Sequence, residues 1–291
     1  MKQNRLYNCT MLVLVWFILV AIIIPFSSRA SDKMAPEEII AKHLDSIAAA
    51  ETRASVHSRI AAGTVVATMH SPGTAKFTGQ AVIASDGIKN MIGMGFEGGG
   101  KFQERFAFDG KEVSVGFARP GDRGYLGDFL LTHQNIVREG LIGGTLSAAW
   151  PLLSLTEKKQ KLEFRGTKKM ANKNLYEIKY VPHGASDLEI SIFFDSESFQ
   201  HVRTEYTRFI SAGMGGAVDA SGSQRPTRYK MVEEFSDFRK ESGLMLPHNY
   251  KIGLEFDTRG GTLVVDWEVK LSDFAFNQAI PPATFNVNPK P

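Results

Sequence analysis

From Gly63 onward, apolar residues fall at every second position over most of the chain. Phe77, Ala81 and Ile83 alternate with polar or small residues up to Asp86-Gly87, and Ile88, Ile92, Met94 and Phe96 carry the alternation on. A period of two puts one set of side chains on one face of a strand. An Asp-Gly pair between two such runs predicts a hairpin, with Phe77 opposite Phe96 and Ala81 opposite Ile92. Phe102, Phe106 and Phe108, then Asp109-Gly110, then Val113, Val115 and Phe117 repeat the pattern, predicting Phe106 opposite Val113 and Phe102 opposite Phe117. The same period marks Tyr176/Ile178/Tyr180, Leu188/Ile190/Ile192/Phe194, Tyr250/Ile252/Leu254/Phe256 and Leu263/Val265/Trp267/Val269/Leu271.

Three stretches break the alternation. Pro36 to Ile47 opens with Pro, follows with Glu37 and Glu38 at the positive end of a helix dipole, and spaces Ile40, Leu44 and Ile47 at helical intervals. Leu126 to Leu155 is an apolar insert in which Phe129, Leu130, Ile136 and Val137 suit a short helix, broken further on by Gly143-Gly144 and Pro151. Ser211 to Pro226 is rich in Gly, Ala and Ser and reads as a loop between strands. A sheet of about ten antiparallel strands with one oily face must curl, because twist accumulates and the face needs cover. The expected fold is α+β: an incomplete antiparallel β-barrel, with one N-terminal helix and the central insert covering its concave face. Two short covers underfill such a concavity, which leaves an apolar cavity suited to an acyl chain.

Lys2 and Arg5 precede the apolar run Met11–Phe26, and small residues precede a cut after Ala30. Residues 1–30 therefore read as a secretory signal peptide, with an uncleaved membrane anchor as the alternative because the run lies between the length of a usual signal h-region and the roughly 20 residues of a full span. Residues 31–291 then form a single domain in the periplasm. The chain has 34 Lys+Arg against 31 Asp+Glu, and Lys2, Arg5 and Arg29 in the leader account for the surplus. A balanced remainder without a basic cluster excludes a nucleic-acid surface. The single Cys lies at position 9, so core packing and not disulfides holds the domain.

Phe235-Ser236-Asp237-Phe238-Arg239-Lys240-Glu241-Ser242-Gly243-Leu244-Met245-Leu246-Pro247-His248 resembles a late strand, turn and next strand of the LolA/LolB-like periplasmic lipoprotein-carrier superfamily. Ile190 to Asp195 with Val202-Arg203 is similar to the hairpin that crosses its sheet, and the early amphipathic helix fits too. The resemblance would cover about residues 35–288. It implies an unclosed barrel with a helical lid, whose lining holds lipid acyl groups in the periplasm. No position here is matched to the functional arginine of that superfamily.

Motifs that invite an enzyme reading fail on context. Gly93-Met94-Gly95-Phe96-Glu97-Gly98 fits a dinucleotide fingerprint, but a strand and not a helix is expected after it. Gly95 to Lys101 fits a phosphate loop, except that Phe102 stands where Ser or Thr would bind magnesium. The histidines at 43, 57, 70, 133, 183, 201 and 248 form no local metal pattern. Asp266 and Glu268 share the polar face of a strand, away from the cavity. No catalytic residue, metal or cofactor is expected.

The expected function is binding of lipid or lipoprotein acyl chains, for transfer between envelope membranes. Phe77, Ile92, Phe106, Val113, Val115, Ile190 and Ile192 are expected to line the cavity together with Phe194, Ile252, Leu254, Val265, Trp267 and Val269. Ile40, Leu44, Ile47, Phe129, Leu130 and Trp150 are expected to form the lid. The carrier would act as a monomer with transient membrane contact. A sensor or protein-interaction module of the same fold with an envelope protein partner is the second reading, and an enzyme with a non-local site the third.

Overall fold

The structure is a computed structural model, describing residues 34–154, 161–183, 186–210, 227–258 and 261–288. The expected signal segment 1–30 and the expected loop 211–226 lie outside the described residues. Helix α1 spans Pro36–Ile47, with Pro in its first turn and Glu37 and Glu38 beside it, as the sequence predicts. Its buried face is Ile39, Ile40, His43 and Ile47, and Leu44 is only half-buried. The stripe is thus rotated by about one position from Ile40/Leu44/Ile47, with a histidine taking the place given to a leucine. A single turn, α2 (Ala50–Ala54), follows.

The strands are β1 (Ser58–Ser71), β2 (Ala75–Asp86), β3 (Lys89–Phe96), β4 (Glu104–Phe108), β5 (Val113–Val115), β6 (Lys161–Met170), β7 (Lys173–Val181), β8 (Glu189–Asp195), β9 (His201–Ile210), β10 (Thr227–Glu241), β11 (Leu244–Thr258) and β12 (Gly261–Phe276). They form one curved 12-stranded sheet in the order β5-β4-β3-β2-β1-β12-β11-β10-β9-β8-β7-β6, with every neighbour antiparallel and its two ends unpaired with each other. This is the incomplete barrel expected, with two strands more than the alternation alone suggested. The first and last strands meet in its middle, so ladder hydrogen bonds tie the two ends of the described chain together.

Both early hairpins fold, each with its register moved by two residues. Ile83 faces Ile92 and Gly79 faces Phe96, because the turn is Gly87-Ile88 and not Asp86-Gly87. In the next hairpin Phe106 faces Val115 and Phe108 faces Val113, around a loop in which Asp109 Oδ1 accepts from the Lys111 and Glu112 amides. A shift of two keeps every side chain on its face, so the buried set survives the error. The pair Phe102–Phe117 does not form. Phe102 sits in a 3-10 turn, Gly100–Phe102, buried against Phe77, and Phe117 is 52% exposed.

Between the edge strands β5 and β6 the chain crosses the concave side as α3 (Tyr125–Thr132), α4 (Asn135–Arg138) and 3-10 turns at Gly144–Leu146 and Pro151–Ser154. One continuous apolar cluster joins the concave face of the sheet, α1 and this insert. On the outer face a second cluster seats Phe285 and Val287 of the C-terminal tail on Ala84, Met91 and Ala107.

The seam between β1 and β12 depends on close backbone approach at Gly63, where a Cβ would lie 1.9 Å from the Lys270 carbonyl oxygen. Gly63→Ala is expected to lower the urea midpoint by an amount worth roughly 2–4 kcal/mol. Gly73→Ala, where an added Cβ meets nothing within 4 Å, should stay within about 0.5 kcal/mol of the parent.

Candidate functional site

The expected lining and lid come together on the concave side. Ile92, Phe106, Val115, Ile190, Ile192, Phe194, Ile252, Leu254, Val265, Trp267 and Val269 are all buried, facing Ile40, Ile47, Phe129, Leu130 and Trp150. Phe77, Val113 and Leu44 sit half-buried at the margin of the same cluster. The open concavity expected between the two sets is not there. Phe106, Ile192, Phe194, Ile252, Val265 and Trp267 have no accessible surface at all, so no void of water size adjoins them. The physical reason is the insert: its 3-10 turns and its glycines bring Leu141, Ile142 and Leu146 into the space that two regular helices would have left. In this state the interior is occupied by the protein's own cover.

What the alternation does not show is how the cover is held. Glu104 on β4 accepts hydrogen bonds from the Leu126 and Gly127 amides at 2.9 and 2.8 Å, capping α3, which has no cap of its own. Asn90 Nδ2 on β3 donates to the Val137 carbonyl at 2.9 Å. Glu233 Oε1 on β10 accepts from the Gly143 amide at 2.7 Å, and Arg59 Nη1 on β1 donates to the Thr145 carbonyl at 2.6 Å. Ser85 Oγ on β2 accepts from the Ala148 amide at 2.8 Å. Each of these side chains is buried, points inward and binds the insert's backbone. Trp267 reaches the other way, its Nε1 donating to the Phe102 carbonyl at 3.1 Å.

Burial sets the electrostatics. Desolvation raises Glu104 well above the usual carboxylate range, against the opposing pull of its two amide donors. Glu233 is raised for the same reason, partly offset by hydrogen bonds from Tyr250, Gly143 and Tyr206; Tyr206 and Tyr250 donate at 2.7 and 2.5 Å. Arg59, 2% exposed, is lowered by desolvation to about 10 and remains a cation at neutral pH.

His43 and His201, 158 positions apart by their numbers, pack with ring centroids 6.4 Å apart. Trp150 stacks on His201 at 4.9 Å, and Phe194 and Phe235 flank it. His43 Nδ1 lies 2.7 Å from the Phe199 carbonyl and so donates to it; His201 Nε2 lies 2.8 Å from Thr204 Oγ1 and 3.2 Å from the Arg203 carbonyl. The opposite ring nitrogens are buried without partners. Gly144, at φ +48°, lies so close that a Cβ would come 2.7 Å from His201 Nδ1.

The dinucleotide-like and phosphate-loop-like glycines end β3 and enter a three-residue 3-10 turn followed by β4, so no helix receives a phosphate there. Asp266 lies on the outer face, paired with His70 at 3.0 Å and Lys251 at 2.9 Å. Among the described residues no group of three or more His, Cys, Asp or Glu is placed to hold a metal ion.

Sequence reasoning missed Arg59, Ser85, Asn90, Glu104 and Glu233. The signal was present as parity: Glu104 occupies the inward phase of Phe106 and Phe108, Asn90 that of Ile92 and Met94, Ser85 that of Ala81 and Ile83, Glu233 that of Met231 and Phe235, and Arg59 that of Ala61.

The buried imidazoles fix the acid limb of stability. Desolvation lowers His43 from 6.5 to about 4 and drives His201 well below 6.5. A base whose folded pKa is depressed contributes stability that is full above the unfolded pKa and is lost as pH falls toward the folded one. Between pH 6.5 and 4 His43 alone should cost about 3 kcal/mol. Chemical denaturation across that range is expected to show a flatter acid limb in His43→Phe than in the parent. Loss of the Phe199 hydrogen bond would change the level of the curve, not this slope. Glu104 and Glu233 act in the opposite sense, their raised pKa values eroding stability as pH rises.

No family model matches the chain, and no curated protein matches it. Solved structures do. A LolA superfamily protein from Nitrosomonas europaea is 14% identical, with a TM-score of 0.45, covering 86% of this chain and 96% of its own. A domain assigned to outer membrane lipoprotein sorting in Vibrio parahaemolyticus is 10% identical, with a TM-score of 0.38, covering 85% and 97%. A DUF1329 family protein from Desulfovibrio piger is 8% identical, with a TM-score of 0.39, covering 86% and 96%.

Proposed function

We propose that this protein binds the acyl chains of lipids or lipoproteins in the periplasm, holding them between the concave face of its sheet and a displaceable insert. The observation that carries the reading is the nature of the cover. A continuous apolar face is closed by a segment that forms no strand pairing with it and is held by side-chain hydrogen bonds to its backbone from Arg59, Ser85, Asn90, Glu104 and Glu233. Each such bond contributes roughly 0.5–3 kcal/mol, the larger values going with charged groups. They can be broken one at a time, unlike a cooperative ladder. The lining residues from Ile92 to Trp267 are then the surface that an acyl chain would meet. Leu126, Leu130, Ile136, Val137, Leu141, Ile142 and Leu146 of the insert are buried as well.

Magnitudes choose between two motions. Exposing all of those insert side chains would cost roughly 1.5–3 kcal/mol each, about as much as or more than one long acyl chain returns at about 0.8 kcal/mol per methylene. A partial opening at Gly140–Ala148, with the apolar side chains of the insert laid against the guest, keeps the exchange near balance. Such a balance suits a protein that must both take up and release its cargo.

Purified protein is expected to carry copurifying lipid, read by extraction and mass spectrometry, and to bind a fluorescent acyl probe. The insert can be pinned where Ser85 meets Ala148: the double variant Ser85→Cys with Ala148→Cys, in a chain whose only Cys is in the leader, should lose probe binding when oxidised and regain it on reduction. Unchanged probe affinity in the oxidised form would mean that ligand does not enter beneath the insert.

A further inference from the structure

Among the described residues, the interior holds a cation without a counter-ion. Arg59 is 2% exposed, and its one hydrogen bond runs from Nη1 to the Thr145 carbonyl, a neutral acceptor. Its Nε is buried without a partner, and no carboxylate pairs with it among the described residues. The buried carboxyl groups nearest in role are already engaged: Glu104 by the amides of α3, and Glu233 by two tyrosines and the Gly143 amide. A buried charge that is neither paired nor fully hydrogen-bonded costs several kcal/mol, which a purely structural plug would avoid with an apolar residue. Thr145 Oγ1 is likewise buried and unpartnered, so two unused donors stand at one place, on Arg59 and on the insert residue it grips.

We propose that the guest is an amphiphile with a single anionic head group, carboxylate or phosphate, on its acyl chain, and that Arg59 is the partner of that anion. The inference rests on the acyl-binding reading above and adds the head group to it. Two oxygens of the anion match the Nε and Nη2 edge of the guanidinium in a bidentate fork, the edge that the bond from Nη1 to the Thr145 carbonyl leaves open. The anion therefore meets Arg59 beside its grip on the insert.

The test is calorimetric titration of the delipidated full chain at pH 8 with dodecanoate, dodecyl phosphate, dodecanol and inorganic phosphate. Dodecanoate and dodecyl phosphate are expected to bind about tenfold or more tighter than dodecanol, and inorganic phosphate alone not to bind measurably. A preference shown by only one of the two anions assigns the head group between carboxylate and phosphate and still supports the inference. In Arg59→Met the preference should vanish, while dodecanol affinity stays within about twofold or improves because the insert has lost a tether. Arg59→Lys, which keeps charge but not the fork, should give an intermediate preference and serves if the methionine variant does not fold. Equal affinities of the parent for dodecanoate, dodecyl phosphate and dodecanol would overturn the role of Arg59 and leave acyl binding standing. Failure of all three chain-bearing ligands to bind would instead overturn the acyl reading itself.

Discussion

A stretch of irregular chain buried inside a curved sheet must hydrogen-bond its backbone to something, and in this protein that requirement shapes the interior. Connecting segments normally run over the surface because water satisfies their amides and carbonyls. Here the chain leaves one edge of the sheet at β5, crosses the concave side and rejoins the other edge at β6. The inner strands already pair with a neighbour on each side, and the described residues of the insert form no ladder with either edge strand. Its polar backbone is met by side chains planted among the apolar residues of the lining. The sheet therefore presents hydrocarbon to the insert's side chains and polar atoms to its main chain.

The same requirement accounts for groups that would otherwise look misplaced. Glu104 and Glu233 are carried inside at the cost of raised pKa values because each has two lone-pair-bearing oxygens, enough to receive several donors at once. Glu233 uses this capacity fully, joining Tyr206 on β9, Tyr250 on β11 and the insert at Gly143. Removing one partner from such a network leaves a buried polar group unsatisfied, which is worse than never having built it. Arg59 and Asn90 are the exceptions among the tethers, with Arg59 Nε and Asn90 Oδ1 left without partners.

Reading from sequence recovers the scaffold better than the site, and the reason is the size of the signals. The bounds of α1 follow from Pro36 and the acidic first turn, and strands such as β8 and β12 follow from strict alternation. Hairpin register is a weaker signal: moving the turn from Asp86-Gly87 to Gly87-Ile88 changes every partner but no facing, so the hydrophobic pattern cannot tell the two apart. The polar tethers are weaker still. Each is in phase with the apolar residues beside it but of the opposite chemistry, as Glu104 is between Phe102 and Phe106, and a single such residue reads as the noise of a strand end. Only the path of the insert gives them a partner, and that path depends on glycines whose backbone conformation the pattern does not encode. His43 and His201 were illegible for a related reason, being joined by the fold across most of the chain.

The sheet's lack of closure bears on whether an interior so filled can admit a guest. A closed barrel fixes its diameter through its strand number and stagger, and widening it breaks ladder bonds. This sheet has two free edges, each protected without being closed. The β5 edge is short and is met by the tail, where the Val287 amide donates to Ser114 Oγ and Asn288 Nδ2 donates to the Val115 carbonyl. The β6 edge carries Lys161, Arg165, Lys168 and Lys169 and a bulge between Phe164 and Gly166, which discourage pairing with another chain. An open sheet can change its curvature by small adjustments of twist spread over many strands, leaving each ladder intact. The insert runs between the two free edges, from β5 to β6. The opening proposed above therefore does not require any ladder bond of the sheet to break.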